Sequence, residues 1–159
     1  MSLSAPPPLT ILVDADACPV KNEVYKVAER HGAEVTLVSD SWINAPRFPF
    51  IKQIVVNQGA DAADDWIAEH CDALCVVVTS DIPLAERCLN AGSKVLSPRG
   101  KPFTPDDIGS AIATRALMEQ LRSTGDQMGG PPPFSDRDRS SFLQAIHETL
   151  THLKREHPG

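Results

Sequence analysis

Aromatic residues are scarce in this chain, with five Phe, two Trp and one Tyr among 159 residues. Eight rings leave little material for an extended base-stacking platform of the kind that single-strand-binding proteins use. Trp42 is the one attractive candidate for such a role, and the expectation for it is a core or loop-anchoring side chain whose indole N–H needs a partner. Long hydrophobic runs are missing too. No stretch reaches the roughly 18–20 apolar residues that span a bilayer, so no membrane partner is expected. A surplus of positive charge is also lacking: the net charge is -6, against the basic surface that a nonspecific nucleic-acid coat requires. Cysteine is sparse. Cys18, Cys71, Cys75 and Cys88 match neither a zinc ribbon nor a Cys-x-x-Cys redox pair. Reduced, structural thiols fit a cytoplasmic protein.

What is present is the composition of an ordinary folded domain, 42% hydrophobic and 23% charged, at a length suited to one core. Charge is unevenly distributed. Residues 1–93 hold 6 Lys/Arg against 13 Asp/Glu, and residues 94–159 hold 9 against 8. Residues 1–8, with Pro6 to Pro8, read as an unstructured lead-in without the basic and apolar regions of a secretory signal.

Four aliphatic runs predict buried parallel strands: Leu9–Val13, Glu34–Val38, Ile54–Val56 and Leu74–Val78, with a weaker fifth at Lys94–Leu96. Helical stripes fall between most of them. Val20, Val24, Val27 and Ala28 form one, stopped by His31-Gly32; Ala63, Trp66, Ile67 and His70 form a second; Leu84, Ala85 and Leu89 form a third ending at Gly92. Alternating strands and helices imply right-handed crossovers and a three-layer α/β/α fold on a mostly parallel five-stranded sheet. Residues 39–52 interrupt the alternation and read as a long loop with Asn44, Pro46 and Pro49.

The α/β domain is expected over residues 9–123, closing with a helix opened by Thr104-Pro105-Asp106-Asp107 and burying Ile108, Ile112 and Leu121. Residues 124–135 read as a Gly/Pro-rich loop, and 136–155 as an amphipathic helix with Phe142, Leu143, Ile146, Leu150 and Leu153 in one stripe. That stripe must cover apolar surface, either on the same domain or on a second subunit of a homodimer.

The acids sit where strands end. Asp14 and Asp16 follow the first strand, and Asp81 follows the fourth in Val78-Thr79-Ser80-Asp81. Open parallel sheets bind ligands beyond the carboxyl ends of their strands, where the strand order reverses. With order 3-2-1-4-5, Asp14 and Asp81 face each other across that crevice. On a helical wheel Asp64 lies at the edge of the buried stripe, Asp65 on the opposite side, and Asp61 near the cap. Asp64 is therefore the acid expected to reach the crevice.

Two carboxylates about 4 Å apart repel by roughly 4 kcal/mol at an effective dielectric near 20. Three or more together must protonate, separate or hold a cation. Hard oxygen donors without His or thiolate select Mg²⁺ or Mn²⁺. Such ions serve hydrolytic phosphate chemistry. Capping competes with this reading: Asp81 before Ile82-Pro83 fits an N-cap, worth about 1 kcal/mol, and Asp16 is placed to cap the helix after Pro19. Asp14 directly continues a buried strand, and capping explains little there.

Four segments together resemble the YaiI/YqxD family of bacterial proteins, which is grouped with PIN-like nuclease domains. They are Val13 to Val20, Gly59 to Ile67, Val78 to Ala85, and Gly129-Gly130-Pro131 with Phe134 through Arg139. The resemblance runs from about Ile11 to Leu153. It implies a PIN-like fold with a Mg²⁺- or Mn²⁺-binding pocket and RNase activity on single-stranded RNA. Asp14, Asp64 and Asp81 match the three acidic places of that fold as catalytic and metal-binding residues, with Asp16 and Asp65 as supporting metal ligands. The further acid that many PIN-like nucleases carry after the fifth strand has no clean match; Ser97 stands nearest, and Asp106 and Asp107 come later. Arg47, Arg99, Lys101, Arg137 and Arg139 are candidate phosphate contacts.

Two rival readings use the same residues. A haloacid-dehalogenase-like phosphatase would take Asp14 as nucleophile and Asp16 as acid-base partner, with Thr79, Lys94 or Lys101, and Asp106-Asp107 completing the order. That scheme leaves Asp64 without a role. A non-catalytic metal- or nucleic-acid-binding module is the other.

Overall fold

The computed structural model describes residues 9–56, 61–106, 108–109 and 133–156. Five strands form one sheet in the order β3-β2-β1-β4-β5, and every neighbouring pair is parallel. They are β1 (Thr10–Asp14), β2 (Glu34–Ser39), β3 (Ile51–Val55), β4 (Cys75–Val78) and β5 (Lys94–Leu96). The helices are α1 (Lys21–His31), α2 (Ala62–His70), α3 (Ile82–Asn90) and α4 (Asp136–Glu156), and a single 3-10 turn, Ala15–Ala17, follows β1.

Strand alternation divides the core in two. Ile11, Val13, Val35, Leu37, Val76 and Val78 face α1 and α4, while Leu12, Val38, Val77 and Val95 face α2 and α3. This is the three-layer architecture expected, with both faces of the sheet covered. The stripe of α4 is buried on its own domain: Phe142, Ile146, Leu150 and Leu153 are closed to solvent in the cluster that also holds Val24, Val27 and Ala28 of α1. A second subunit is not needed to cover it. Helix α1 stops where Gly32 takes φ 68°, allowing Ala33 N–H to reach Ala28 O at 2.9 Å and Gly32 N–H to reach Glu29 O at 3.3 Å.

Three expectations are corrected. The third strand begins at Ile51 rather than Ile54, which shortens the preceding loop. As an edge strand, half open to water, it tolerates Lys52 and Gln53 among its apolar residues, and these hide it from a search for buried runs. His70 is exposed and stacks on Trp66, with centroids 3.8 Å apart, instead of joining the α2 core; Ile67 is the residue of that helix that is fully buried. Trp42 is neither core nor anchor, being 74% exposed.

All four cysteines are buried and free. Among the described residues no helix is long and apolar enough to cross a membrane. Ile108 is buried and its N–H bonds Thr104 O at 2.9 Å, as a helix opening there requires. Ile112, Leu121, Asp107, the lead-in 1–8 and residues 124–132 of the Gly/Pro-rich stretch lie outside the described residues.

Candidate metal centre

With β1 in the middle of the sheet, the chain runs to β2 and β3 on one side and to β4 and β5 on the other, so the order reverses between β1 and β4. Their register pairs Val13 with Val78, which places Asp14 and Thr79 side by side at the carboxyl edge. The Thr79 side chain is buried, and its hydroxyl donates to Asp14 Oδ2 at 3.0 Å. The Thr79 hydroxyl oxygen in turn accepts the N–H of Asp81, also at 3.0 Å. Asp81 is the N-cap of α3, where its Oδ1 accepts Leu84 N–H at 2.9 Å. Capping and approach to the crevice therefore coexist in one side chain, because a carboxylate has about four acceptor positions and the cap occupies one.

Asp64 lies in the first turn of α2, half-buried, and accepts no hydrogen bond and meets no cation among the described residues. Burial, and then the negative charges of Asp81, Asp14, Asp61 and Asp65, push its pKa up to about 6. Asp14 is raised as well, by burial against the lowering bond from Thr79, with Asp16 and Asp81 adding repulsion. Acids from the end of β1, the start of α2 and the end of β4 thus share one electrostatic field. Among the described residues, no three His, Cys, Asp or Glu side chains already stand around a common coordination point. The donor set is nonetheless the hard, all-oxygen kind that suits Mg²⁺ or Mn²⁺, and Asp14 Oδ1 and Asp81 Oδ2 have no protein donor among the described residues.

The family model described as "Uncharacterized BCR, YaiI/YqxD family" matches residues 12–152. The chain belongs to the YaiI/YqxD family. A UPF0178 protein of Sphingopyxis alaskensis is 58% identical over 154 residues, covering 96% of this chain and 98% of its own. One from Rhodopseudomonas palustris (strain BisB5) is 52% identical, covering 96% and 93%, and one from Caulobacter vibrioides (strain NA1000 / CB15N) is 54% identical, covering 94% and 97%. No solved structure gives a significant match.

The remaining candidates of this YaiI/YqxD chain divide by position. Asp16 does not cap α1, whose N-cap is Val20; its carboxylate instead accepts Asp40 N–H, at 3.2 and 3.4 Å to its two oxygens. Partial burial raises its pKa, and the Asp40 carboxylate adds to this against the lowering bond from the Asp40 N–H. Asp40 is not among the acids that the sequence reading singles out, although it follows β2 just as Asp14 closes β1, and that position is its signal in the sequence. Asp65 points away from the crevice into an exposed ion pair with Arg87 of α3, at 2.8 Å. Asp61 occupies the N-cap position of α2 without making a side-chain cap bond.

Two of the candidate phosphate contacts are engaged within the chain. Arg99 pairs with Asp138 at 2.9 Å, and Arg139 bonds Pro19 O at 2.8 Å and reaches Glu23 at 3.4 Å. Both guanidinium groups lie over the ring of Phe134, at 5.7 and 5.0 Å from its centroid. Beneath them Ser135 and Asp138 make a reciprocal cap: Ser135 N–H donates to Asp138 Oδ2 at 2.9 Å, and Asp138 N–H donates to Ser135 Oγ at 3.3 Å. The Ser-x-x-Asp spacing carries that signal in sequence. The Phe134–Arg139 motif therefore fastens the start of α4 to the loop carrying Asp16 and to the turn after β5. Ser97 belongs to that turn, its Oγ accepting Arg99 N–H at 3.3 Å and Lys101 N–H at 3.1 Å. Arg47, Lys101 and Arg137 stay exposed, with no carboxylate in ion-pair range among the described residues.

Proposed function

We propose that this protein is a metal-dependent nuclease that hydrolyses RNA, with Asp14, Asp64 and Asp81 as the residues that hold Mg²⁺ or Mn²⁺. The observation carrying the proposal is the placement of these three acids, from separate segments, at the crevice where the strand order reverses, with Asp64 lacking any cation among the described residues. Unrelieved repulsion of this sort is destabilising unless a dication offsets it. The resemblance to PIN-like domains, whose three acidic places Asp14, Asp64 and Asp81 match, supports the same chemistry.

A bound Mg²⁺ or Mn²⁺ supplies Lewis acidity for phosphodiester hydrolysis. The chain's own contribution is orientation. Thr79 fixes one oxygen of Asp14 and leaves the other available, and the Leu84 N–H does the same for Asp81. Asp64, on the first turn of α2, is the acid whose charge most needs a partner. Asp16 is tied to the start of the loop after β2 and would join through that loop. Asp65, already paired with Arg87, is left a minor part.

The test is hydrolysis of end-labelled single-stranded RNA with Mn²⁺, Mg²⁺ or chelator. Cleavage should require the metal and fall on the order of 100-fold or more in Asp14→Asn and Asp81→Asn. Equal rates in wild type and both variants would refute the proposal. A covalent phosphate trapped on Asp14 would favour a phosphatase instead.

A further inference from the structure

The loop between β2 and β3 carries an exposed aromatic and cationic surface. Trp42 is 74% exposed and makes no hydrogen bond or ring contact with the described residues. Exposure of this extent usually accompanies a wandering loop, but here the backbone is fixed on both sides of the side chain. The Ser39 hydroxyl donates to Ser41 O at 2.6 Å. Beyond Trp42, Gln53 of β3 clamps Ile43, accepting its N–H at 3.2 Å and donating to its carbonyl at 2.8 Å. Ile43, Ala45 and Phe50 pack on the core beneath. The indole is thus held out on a built support.

Around it lies a concavity of about 480 Å³ lined by Trp42, Asn44, Arg47, Phe48 and Gln53 among others. Phe48 is 46% exposed and stacks on Phe50, ring centroids 5.4 Å apart and planes within 7°. Arg47, next to Phe48 in sequence, is exposed and has no carboxylate partner among the described residues. Flat rings with an unpaired guanidinium suit a planar, anionic ligand, since bases stack on aromatics whatever their identity and arginine takes phosphate.

Position selects among such ligands. Asp40, whose N–H is held by Asp16, begins this loop, and two residues of chain span at most about 7 Å to Trp42. The Trp42 end of the surface therefore lies toward the acidic edge of the sheet, while Phe48, whose carbonyl accepts the Ile51 N–H, lies at the opposite edge, where Ile51 pairs with Val35. We infer that the Trp42–Phe48 loop is a shelf for unpaired bases of single-stranded nucleic acid, seating a strand that leaves the Asp14 and Asp81 crevice at Trp42 and runs along β3 toward Phe48. This rests on the nuclease reading for the identity of the crevice, but the shelf can be tested without any cleavage. Such a shelf would favour single strands over duplexes, because bases inside a duplex have no free face to offer.

The experiment measures binding of a fluorescein-labelled, unstructured RNA 12-mer by anisotropy in chelator, so that no metal-dependent cutting intervenes. An abasic strand of equal length and a duplex serve as comparisons. Trp42→Ala should weaken the RNA by about 5- to 100-fold, Trp42→Phe should restore most of the loss, and neither should alter abasic binding. Arg47→Ala should weaken both strands alike. Unchanged RNA affinity in Trp42→Ala would overturn the inference. So would sedimentation finding a wild-type dimer that Trp42→Ala makes monomeric without a base-dependent change in affinity, since a second copy would then occupy the shelf. Trp42-dependent binding by a protein that cuts nothing with Mn²⁺ would sink the nuclease reading alone. Cutting by a protein indifferent to Trp42 would sink the shelf alone.

Discussion

Thr79 holds Asp14 by a 3.0 Å hydrogen bond across the β1–β4 boundary, and through the same hydroxyl oxygen it receives the N–H of Asp81. One buried hydroxyl therefore sets the relation between two acids 67 residues apart in sequence. Its donor proton favours ionised Asp14, against the burial that raises that group's pKa.

Replacing Thr79 by the isosteric Val removes the donor without opening a cavity. The pKa of Asp14 should rise further, so half-saturation with Mn²⁺ should require a higher pH than in wild type. Stability should fall by about 1–3 kcal/mol, because the Asp81 N–H loses its acceptor. Denaturant titration and Mn²⁺ binding across pH 5–8 check both; an unshifted pH midpoint for binding would show the bond to be irrelevant to the metal.

Asp64 provides a prediction with a defined sign. Its pKa in the folded protein is about 6, above the ordinary value of 3.8. Well below 3.8, at about pH 3, the group is largely neutral whether folded or unfolded and contributes little. As pH rises from 3.8 through about 6, ionisation favours the unfolded chain and stability is lost. Asp64→Asn should therefore stabilise the metal-free protein above pH 6, with little gain at about pH 3. The group is half-exposed and screened by solvent, so the gain should stay near about 1 kcal/mol. Melting curves in chelator from about pH 3 to 8 measure it.

Metal should reverse that ranking. Mn²⁺ at about 100 times its dissociation constant stabilises a native state by about 2.7 kcal/mol, or roughly 5–10 °C for a domain of this size. Wild type should gain this shift, while Asp14→Asn and Asp64→Asn should lose most of it. Asp65→Asn should keep it, since that carboxylate is paired outward with Arg87. An equal thermal shift in all four proteins would mean that Mn²⁺ binds elsewhere.

Gly100 should not tolerate a side chain. Its φ is 86°, and a Cβ there would stand 2.6 Å from the backbone carbonyl of Ser141. Gly100→Ala combines left-handed strain with displacement of α4, and a loss of about 2–4 kcal/mol is expected by denaturant titration. The Arg99–Asp138 contact should loosen with it, which nuclear magnetic resonance of the Arg99 side chain would follow.

The fold is largely legible in the sequence. Buried parallel strands announce themselves as aliphatic runs, and those runs mark β1, β2, β4 and β5 to within a residue or so. The edge strand β3 is not so marked, because only its neighbour on one side fixes it and its sequence can stay polar. Helix α4 was legible from its stripe, but which surface it covered was not, since periodicity describes a face and never its partner.

For the acids the division has the same cause. Local sequence determined that Asp14 ends a strand, that Asp81 caps the helix following another and that Asp64 lies in the first turn of a helix, for these follow from periodicity and propensity over a few residues. Which acids share a field, which is drawn away by Arg87, and how Asp40 comes to meet Asp16 depended on packing between distant segments. Trp42 makes the same point. A lone indole in a loop is expected in the core or as an anchor, whereas here the clamps from Ser39 and Gln53 fix the backbone and the ring faces water.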